Sequence, residues 1–125
     1  MIEVHSRNKY KVWNKTLNHF EKDALLGQDG IPFILDLNTK ELFIIENAEI
    51  VHSTGLKDKN GKLIYEGDII SDGFDNTIVE WSDNDCQFLN VEFDNGIKTC
   101  YTFEQLLSME VVGNIYETFY KKELI

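Results

Sequence analysis

Two Asn-Gly steps, Asn60-Gly61 and Asn95-Gly96, constrain this chain more than any other feature, because each lies between short segments in which apolar and polar residues alternate. Asn-Gly accepts the left-handed backbone that tight hairpins need, and alternation with period two marks half-buried strands. Register then depends on which side chains can face one another. In "TGLKDKNGKLIYEGDII", residues 54–70, a two-residue turn sets Lys59 opposite Lys62, a like-charge pair, and Leu56 opposite Tyr65. A three-residue loop, Lys59 to Gly61 with Gly61 left-handed, sets Asp58 against Lys62 and Leu56 against Ile64. The longer loop is the one expected. In "LNVEFDNGIKTCY" a two-residue turn would send the apolar sides of its strands to opposite faces. A loop of Asp94 to Gly96 instead matches Phe93 with Ile97, Val91 with Thr99, Leu89 with Tyr101 and, on the outer face, Glu92 with Lys98.

That register places Cys100 opposite Asn90 and leaves Cys86 four residues back along the partner strand, on the order of 13 Å away and beyond disulfide reach. Two free thiols suit a reducing compartment. No His neighbours either cysteine in sequence, so both are expected to be structural or incidental rather than nucleophilic or metal-binding.

Further strands are expected at "EGDIISD", entered through Gly67, at "NTIVEWS", at "CQFLNVEF" and at "EVVGNIYE", with turn formers at Ser82 to Asp85. Between the last two, "TFEQLLS" breaks the alternation. Thr102 and Gln105 have capping-box spacing, and Phe103, Leu106 and Leu107 are expected to turn inward from a short helix near 103–108. Five short strands with a helical turn before the last is the order of a small SH3-like barrel. The fold expected is therefore mainly β: a barrel over about residues 63–117 hiding Ile69, Val79, Trp81, Leu89, Val91, Phe93, Tyr101 and Val112. A β extension over 1–62 would precede it, with three or four strands from "KYKVWN", "IPFILDL", "KELFIIENA" and "EIVHSTG", and residues 118–125 would form a tail within one domain.

The central stretch, the downstream "VVGNIYE" and the N-terminal "KYKVWNKTL" with its Trp13-Asn14 step together resemble the YopX family of phage and prophage proteins. The resemblance spans nearly the whole chain. It implies a mainly β domain with a barrel-like part, a phage or prophage source and self-association, and it carries over no catalytic residue or cofactor. Family members often continue after the last strand with Asn-Pro, where this chain has Thr118-Phe119.

The formal net charge is −10, a surplus that repels nucleic acid. No apolar run approaches the ~20 residues of a membrane span. The N-terminal "MIEVHSRNKYK" has neither the apolar stretch nor the cleavage site of a secretory signal, so a cytoplasmic protein is expected. Glu66, Asp68 and Asp72 are the carboxylates that a metal-dependent hydrolase would use, but their spacing matches no Ca²⁺ loop. Turn duty is the simpler role, with Asp68 holding the hairpin neck through backbone N–H groups. His5, His19 and His52 are scattered, and "TGLKDKNG" lacks the strand-to-helix context of a phosphate cradle. The positions most available for recognition are Trp13, Asn60, Gly61, Tyr65, Glu66, Gly67 and Asp68, together with Phe20, Phe33, Phe43 and Phe74 if exposed as a patch. The expectation is a non-enzymatic phage accessory module that associates with itself or with a host or phage protein. An acidic DNA mimic and a small metal-dependent hydrolase are the alternatives.

Overall fold

A computed structural model of the chain describes residues 9–85, 87–92 and 96–117. The chain forms two compact units, Tyr10–Val51 and a barrel unit whose described residues are Lys9 and 52–117. The division falls ahead of the 62/63 boundary expected from the sequence, because the hairpin around Asn60 belongs with the barrel.

The first unit holds strands β1 (Tyr10–Asn14), β2 (His19–Glu21), β3 (Leu25–Leu26), β4 (Pro32–Leu35) and β5 (Leu42–Ile44), and the start of β6 (Ala48–Lys57). β1 and β2 pair with Trp13 opposite Phe20. Asn14 makes the connecting turn. Its side-chain oxygen accepts the N–H groups of Thr16 and Leu17 at 3.0 Å each, and Asn18 adopts a left-handed φ of 56°. β3, β4 and β5 form an antiparallel sheet in that order. Pro32 opens β4, where a missing N–H is tolerated, and its carbonyl accepts the Ile45 N–H at 3.0 Å. β2 and β3 were not expected from the sequence. At three and two residues they are too short to display a period.

In the barrel unit β6 pairs with β7 (Leu63–Tyr65). There follow β8 (Asp68–Ser71), β9 (Asn76–Ser82), β10 (Gln87–Glu92), β11 (Lys98–Thr99), the short helix α1 (Phe103–Leu106) and β12 (Glu110–Asn114). The last five strands make one antiparallel sheet in the order β11-β10-β9-β8-β12. The chain thus meanders outward from β8 and returns through α1 to lay β12 on the other side of β8. The sheet curls into a half-barrel, consistent with a small β-barrel fold. Its core is Ile64, Ile70, Val79, Leu106 and Met109, with Leu56, Phe88, Tyr101 and Val111 packed on it. Thr102 and Gln105 form the reciprocal capping box: the Thr102 N–H donates to Gln105 Oε1 at 2.8 Å, and the Gln105 N–H to Thr102 Oγ1 at 3.2 Å.

The hairpin at Asn60 has the three-residue loop expected. The Asp58 N–H donates to the Lys62 carbonyl, Gly61 has φ 78°, and Lys57 lies opposite Leu63. The β10–β11 hairpin differs. Asn90 pairs with Thr99 and Val91 with Lys98, and the Glu92 N–H donates to the Ile97 carbonyl, one residue out of the expected register. The Gly96 N–H closes this longer loop on the Glu92 carbonyl. Alternation misleads here because Leu89 and Asn90 are both buried, so β10 is covered on both faces. Lys98 therefore meets Glu80 at 3.5 Å rather than Glu92, and Asn90 faces Thr99 rather than Cys100. Phe93, Asp94 and Cys86 lie outside the described residues.

Two expected core residues, Trp81 and Val112, are exposed, at 43% and 53%. Val111 pairs with Ile70 and Gly113 with Ile69, so Val112 is the extra residue of a β-bulge and is turned outward. Leu107 is also exposed, and Met109 takes the inward place expected for it.

Ile70, fully buried, is expected to cost about 2–5 kcal/mol when replaced by Ala. Val112→Ser should change stability by no more than about 0.5 kcal/mol, since its side chain already meets water. Urea unfolding of the two variants checks this difference, and the simple alternation reading predicts the opposite order for Val112.

Candidate functional site

Asp58 organises the central motif. Its carboxylate is buried, and both oxygens are taken: Oδ1 accepts the N–H groups of Asn60 and Lys62, and Oδ2 that of Val111, all at 2.9 Å. The Lys59 N–H donates to the Met109 carbonyl, Asn60 Nδ2 lies 3.3 Å from Glu110 Oε1, and Lys59 Nζ lies 3.8 Å from Glu110 Oε2. The turn is thereby docked on the first residues of β12. Burial alone would raise the Asp58 pKa, but the hydrogen bonds from Val111, Lys62 and Asn60, aided by the Lys62 charge, outweigh it and hold the carboxyl below its ordinary value. The cluster of turn N–H groups that suggested an anion cradle is filled by the chain's own carboxylate. Sequence reasoning missed Asp58, whose third donor stands 53 positions away.

A second turn, Tyr65 to Asp68, brings together the remaining motif residues. Buried Asp68 accepts the Tyr65 N–H at 2.8 Å, the hairpin-neck role expected of it. Glu66 reaches across to β6, where Oε1 accepts the His52 N–H at 3.0 Å. Burial, and then the Asp68 carboxylate, push the Tyr65 phenol above its ordinary pKa. Gly67 is left-handed at φ 82°. Its N–H donates to the Val79 carbonyl at 2.7 Å, and its carbonyl accepts the Ile115 N–H at 2.9 Å. A Cβ at this position would sit 2.7 Å from Tyr116 Cε2. "YEGD" and "NIYE" are thus two sides of one contact, as are the Asp58 turn and "EVV".

These positions do not form a catalytic constellation. Asp72 serves a third turn, accepting the Phe74 and Asp75 N–H groups at 2.8 Å, which lower its pKa. Glu66, Asp68 and Asp72 therefore accept from different backbone segments. No group of three or more His, Cys, Asp or Glu able to hold a metal ion occurs among the described residues. His19 contacts Glu21 at 3.4 Å, Cys100 is an exposed free thiol, and His5 lies outside the described residues. Trp13 is 5% exposed and packs edge-on against Phe20, with ring centroids 4.8 Å apart. It belongs to the interior of the first unit.

Inside the barrel, Thr54, Leu56, Ile64, Val79, Phe88, Asn90, Tyr101 and Leu106 line a cavity of about 60 Å³. Such a space suits a water molecule or two but is far below the ~300 Å³ of a metabolite pocket. Three consecutive exposed apolar residues lie instead on β5 of the first unit. Leu42, Phe43 and Ile44 are 54%, 51% and 57% exposed, and Leu35 and Leu37 beside them are exposed as well. An open cleft runs along this strand between Phe43 and Ile44 on one side and Asn14, Leu17 and His19 on the other. Of the aromatics expected to form a contact patch, Phe43 and Phe74 are exposed, whereas Trp13, Phe20 and Phe33 are wholly or partly buried.

A mainly β protein with a curled barrel unit, its motif carboxylates bound in turns and an apolar strand left open, is a structural class that known families can test. The chain belongs to the YopX protein family, whose model matches residues 7–119. It is similar in fold to protein EF1440 from Enterococcus faecalis, seen in a crystal structure: 23% identity, TM-score 0.60, covering 88% of this chain and 94% of that one. No curated protein matches it.

Asp58→Ala leaves three backbone N–H groups without their acceptor and is expected to cost about 3 kcal/mol at pH 7. Because the folded-state pKa is lowered, this stabilisation is complete above the unfolded value of ~3.9 and disappears as pH falls through the folded one. Chemical denaturation of wild type and variant should show a gap that is flat from pH 7 to pH 5 and narrows below pH 4. For Gly67→Ala, left-handed strain and the Tyr116 contact together predict a loss of about 2 kcal/mol, and pairing it with Tyr116→Ala should recover part of it.

Proposed function

We propose that this protein is a non-enzymatic interaction module that self-associates. The exposed Leu42-Phe43-Ile44 strand is the observation that carries the reading, since monomeric proteins seldom leave three consecutive large apolar residues in water on a sheet. The motif residues support it from the other side, because their polar groups are engaged in building turns. The strand order β11-β10-β9-β8-β12 with α1 before β12 supports the reading of the half-barrel as a small SH3-like scaffold. YopX family membership supports a phage or prophage accessory role in the bacterial cytoplasm. No helix among the described residues is long and apolar enough to cross a membrane.

A DNA mimic would require its carboxylates to stand free along one face. Asp29, Asp36, Asp58, Asp68 and Asp72 instead accept backbone N–H groups in five separate turns, which favours the interaction module. A metal-dependent hydrolase would need Glu66, Asp68 and Asp72 to abandon such bonds and converge.

Multi-angle light scattering of the full chain between 10 µM and 1 mM is the test, spanning about 2.7 kcal/mol of association free energy. A mass of two or more chains that persists at physiological salt is expected. A monomer at the top of this range overturns self-association.

A further inference from the structure

The interior of the barrel unit holds an amide oxygen to which the chain itself brings no donor. Asn90 sits on β10 opposite Val79 of β9 and two residues after Phe88, so its side chain shares the inward face with those apolar residues. It is 5% exposed. Asparagine is seldom buried so completely, because an amide taken out of water keeps its demand for hydrogen bonds. No protein group donates to Asn90 Oδ1, and the backbone carbonyl of the same residue already accepts from the Thr99 hydroxyl at 3.4 Å. The ladder cannot supply the donor either, since the N–H groups of β9 and β10 lie in the plane of the sheet and the side chain stands out of it.

The same side chain lines the cavity of about 60 Å³. Ile64, Val79 and Leu106 form buried apolar wall, and Thr54 and Tyr101, both half-buried, are the other hydrogen-bonding side chains of the lining. Thr54 Oγ1 donates to the Ile64 carbonyl at 2.8 Å and accepts the Leu56 N–H at 3.1 Å. Its proton is committed, so toward a guest it can only accept. Size and chemistry together define that guest. The lining has no charged side chain, and its three side-chain oxygens fall short of the roughly six that a hard cation takes. An anion would face oxygen lone pairs. A water molecule, with about 30 Å³ of liquid volume, fits the space and can donate twice and accept from a hydroxyl.

We propose that the barrel interior is a hydration site, in which an ordered water molecule donates to Asn90 Oδ1. The Thr54 oxygen and the Tyr101 hydroxyl are the lining groups able to complete its bonds. The water thereby links β6, β10 and the segment that leads into α1, three parts of the chain that no single side chain joins at this point. The site belongs to the barrel unit alone, and it stands or falls independently of self-association.

Two measurements on the full chain test it. In water-to-methyl nuclear Overhauser spectra, the methyl groups of Ile64, Val79 and Leu106 are expected to show cross-peaks with the sign of a water that tumbles with the protein. Asn90→Leu, close to asparagine in shape but without polar atoms, should remove those cross-peaks while the amide spectrum keeps the dispersion of a folded chain. A crystal structure of the wild-type chain should place a water oxygen about 2.7–3.2 Å from the Asn90 side-chain amide, and it decides the matter should the leucine variant unfold. A dry cavity in wild type, by either measurement, overturns the proposal. Cross-peaks that survive in a folded Asn90→Leu chain overturn the role of Asn90, and density for an organic molecule in the cavity overturns the assignment of water.

Discussion

The barrel unit depends on one buried carboxylate. Three backbone N–H groups converge on Asp58, two from its own turn and one from Val111, and together they use both oxygens. Asparagine could not take this place, because its amide group would turn N–H donors against the N–H of either the turn or β12. A neutral apolar residue would leave all three donors dry and unpaired, which costs more than burying an ionised carboxylate that they solvate. Charge is thus retained inside by hydrogen bonding rather than by an ion pair. The carboxylate also ties distant parts of the chain together, for the same side chain that closes the turn between β6 and β7 holds Val111 of β12.

Gly67 makes the second such junction. Its carbonyl accepts from Ile115 and the face of Tyr116 occupies the space of the missing side chain, so the entry to β8 and the exit of β12 are locked where those strands pair. Seen this way, the two stretches that identify the family are contiguous in space although some fifty residues apart in the chain. Each of them takes part in closing the half-barrel, through the Asp58–Val111 and Gly67–Ile115 hydrogen bonds.

Legibility followed the range of the interaction that decided each feature. The loop at Asn60 could be read because the deciding contacts, Lys59 against Lys62 or Asp58 against Lys62, are local. The capping box of Thr102 and Gln105 is local too. The β10–β11 register could not be read, because Leu89 and Asn90 are buried on opposite faces and a strand covered twice has no polar side to declare its phase. Val112 resembles its neighbour Val111 in every local respect; only the pairing with β8 shows that a bulge turns one out and the other in. Trp13 was read as available for recognition on its residue type, whereas packing against Phe20 makes it interior. Asp58 was seen as one partner of Lys62, and its larger role stayed hidden because Val111 is distant in sequence.

The distribution of polarity separates scaffold from surface. In the barrel unit the polar motif residues are held by backbone partners, and the cavity inside it is about 60 Å³. The β5 strand is the reverse: its side chains are apolar and exposed, and its outward backbone groups ask for partners that its own sheet does not provide. A chain with ten surplus negative charges resists indiscriminate aggregation through such an edge, since random encounters meet long-range repulsion.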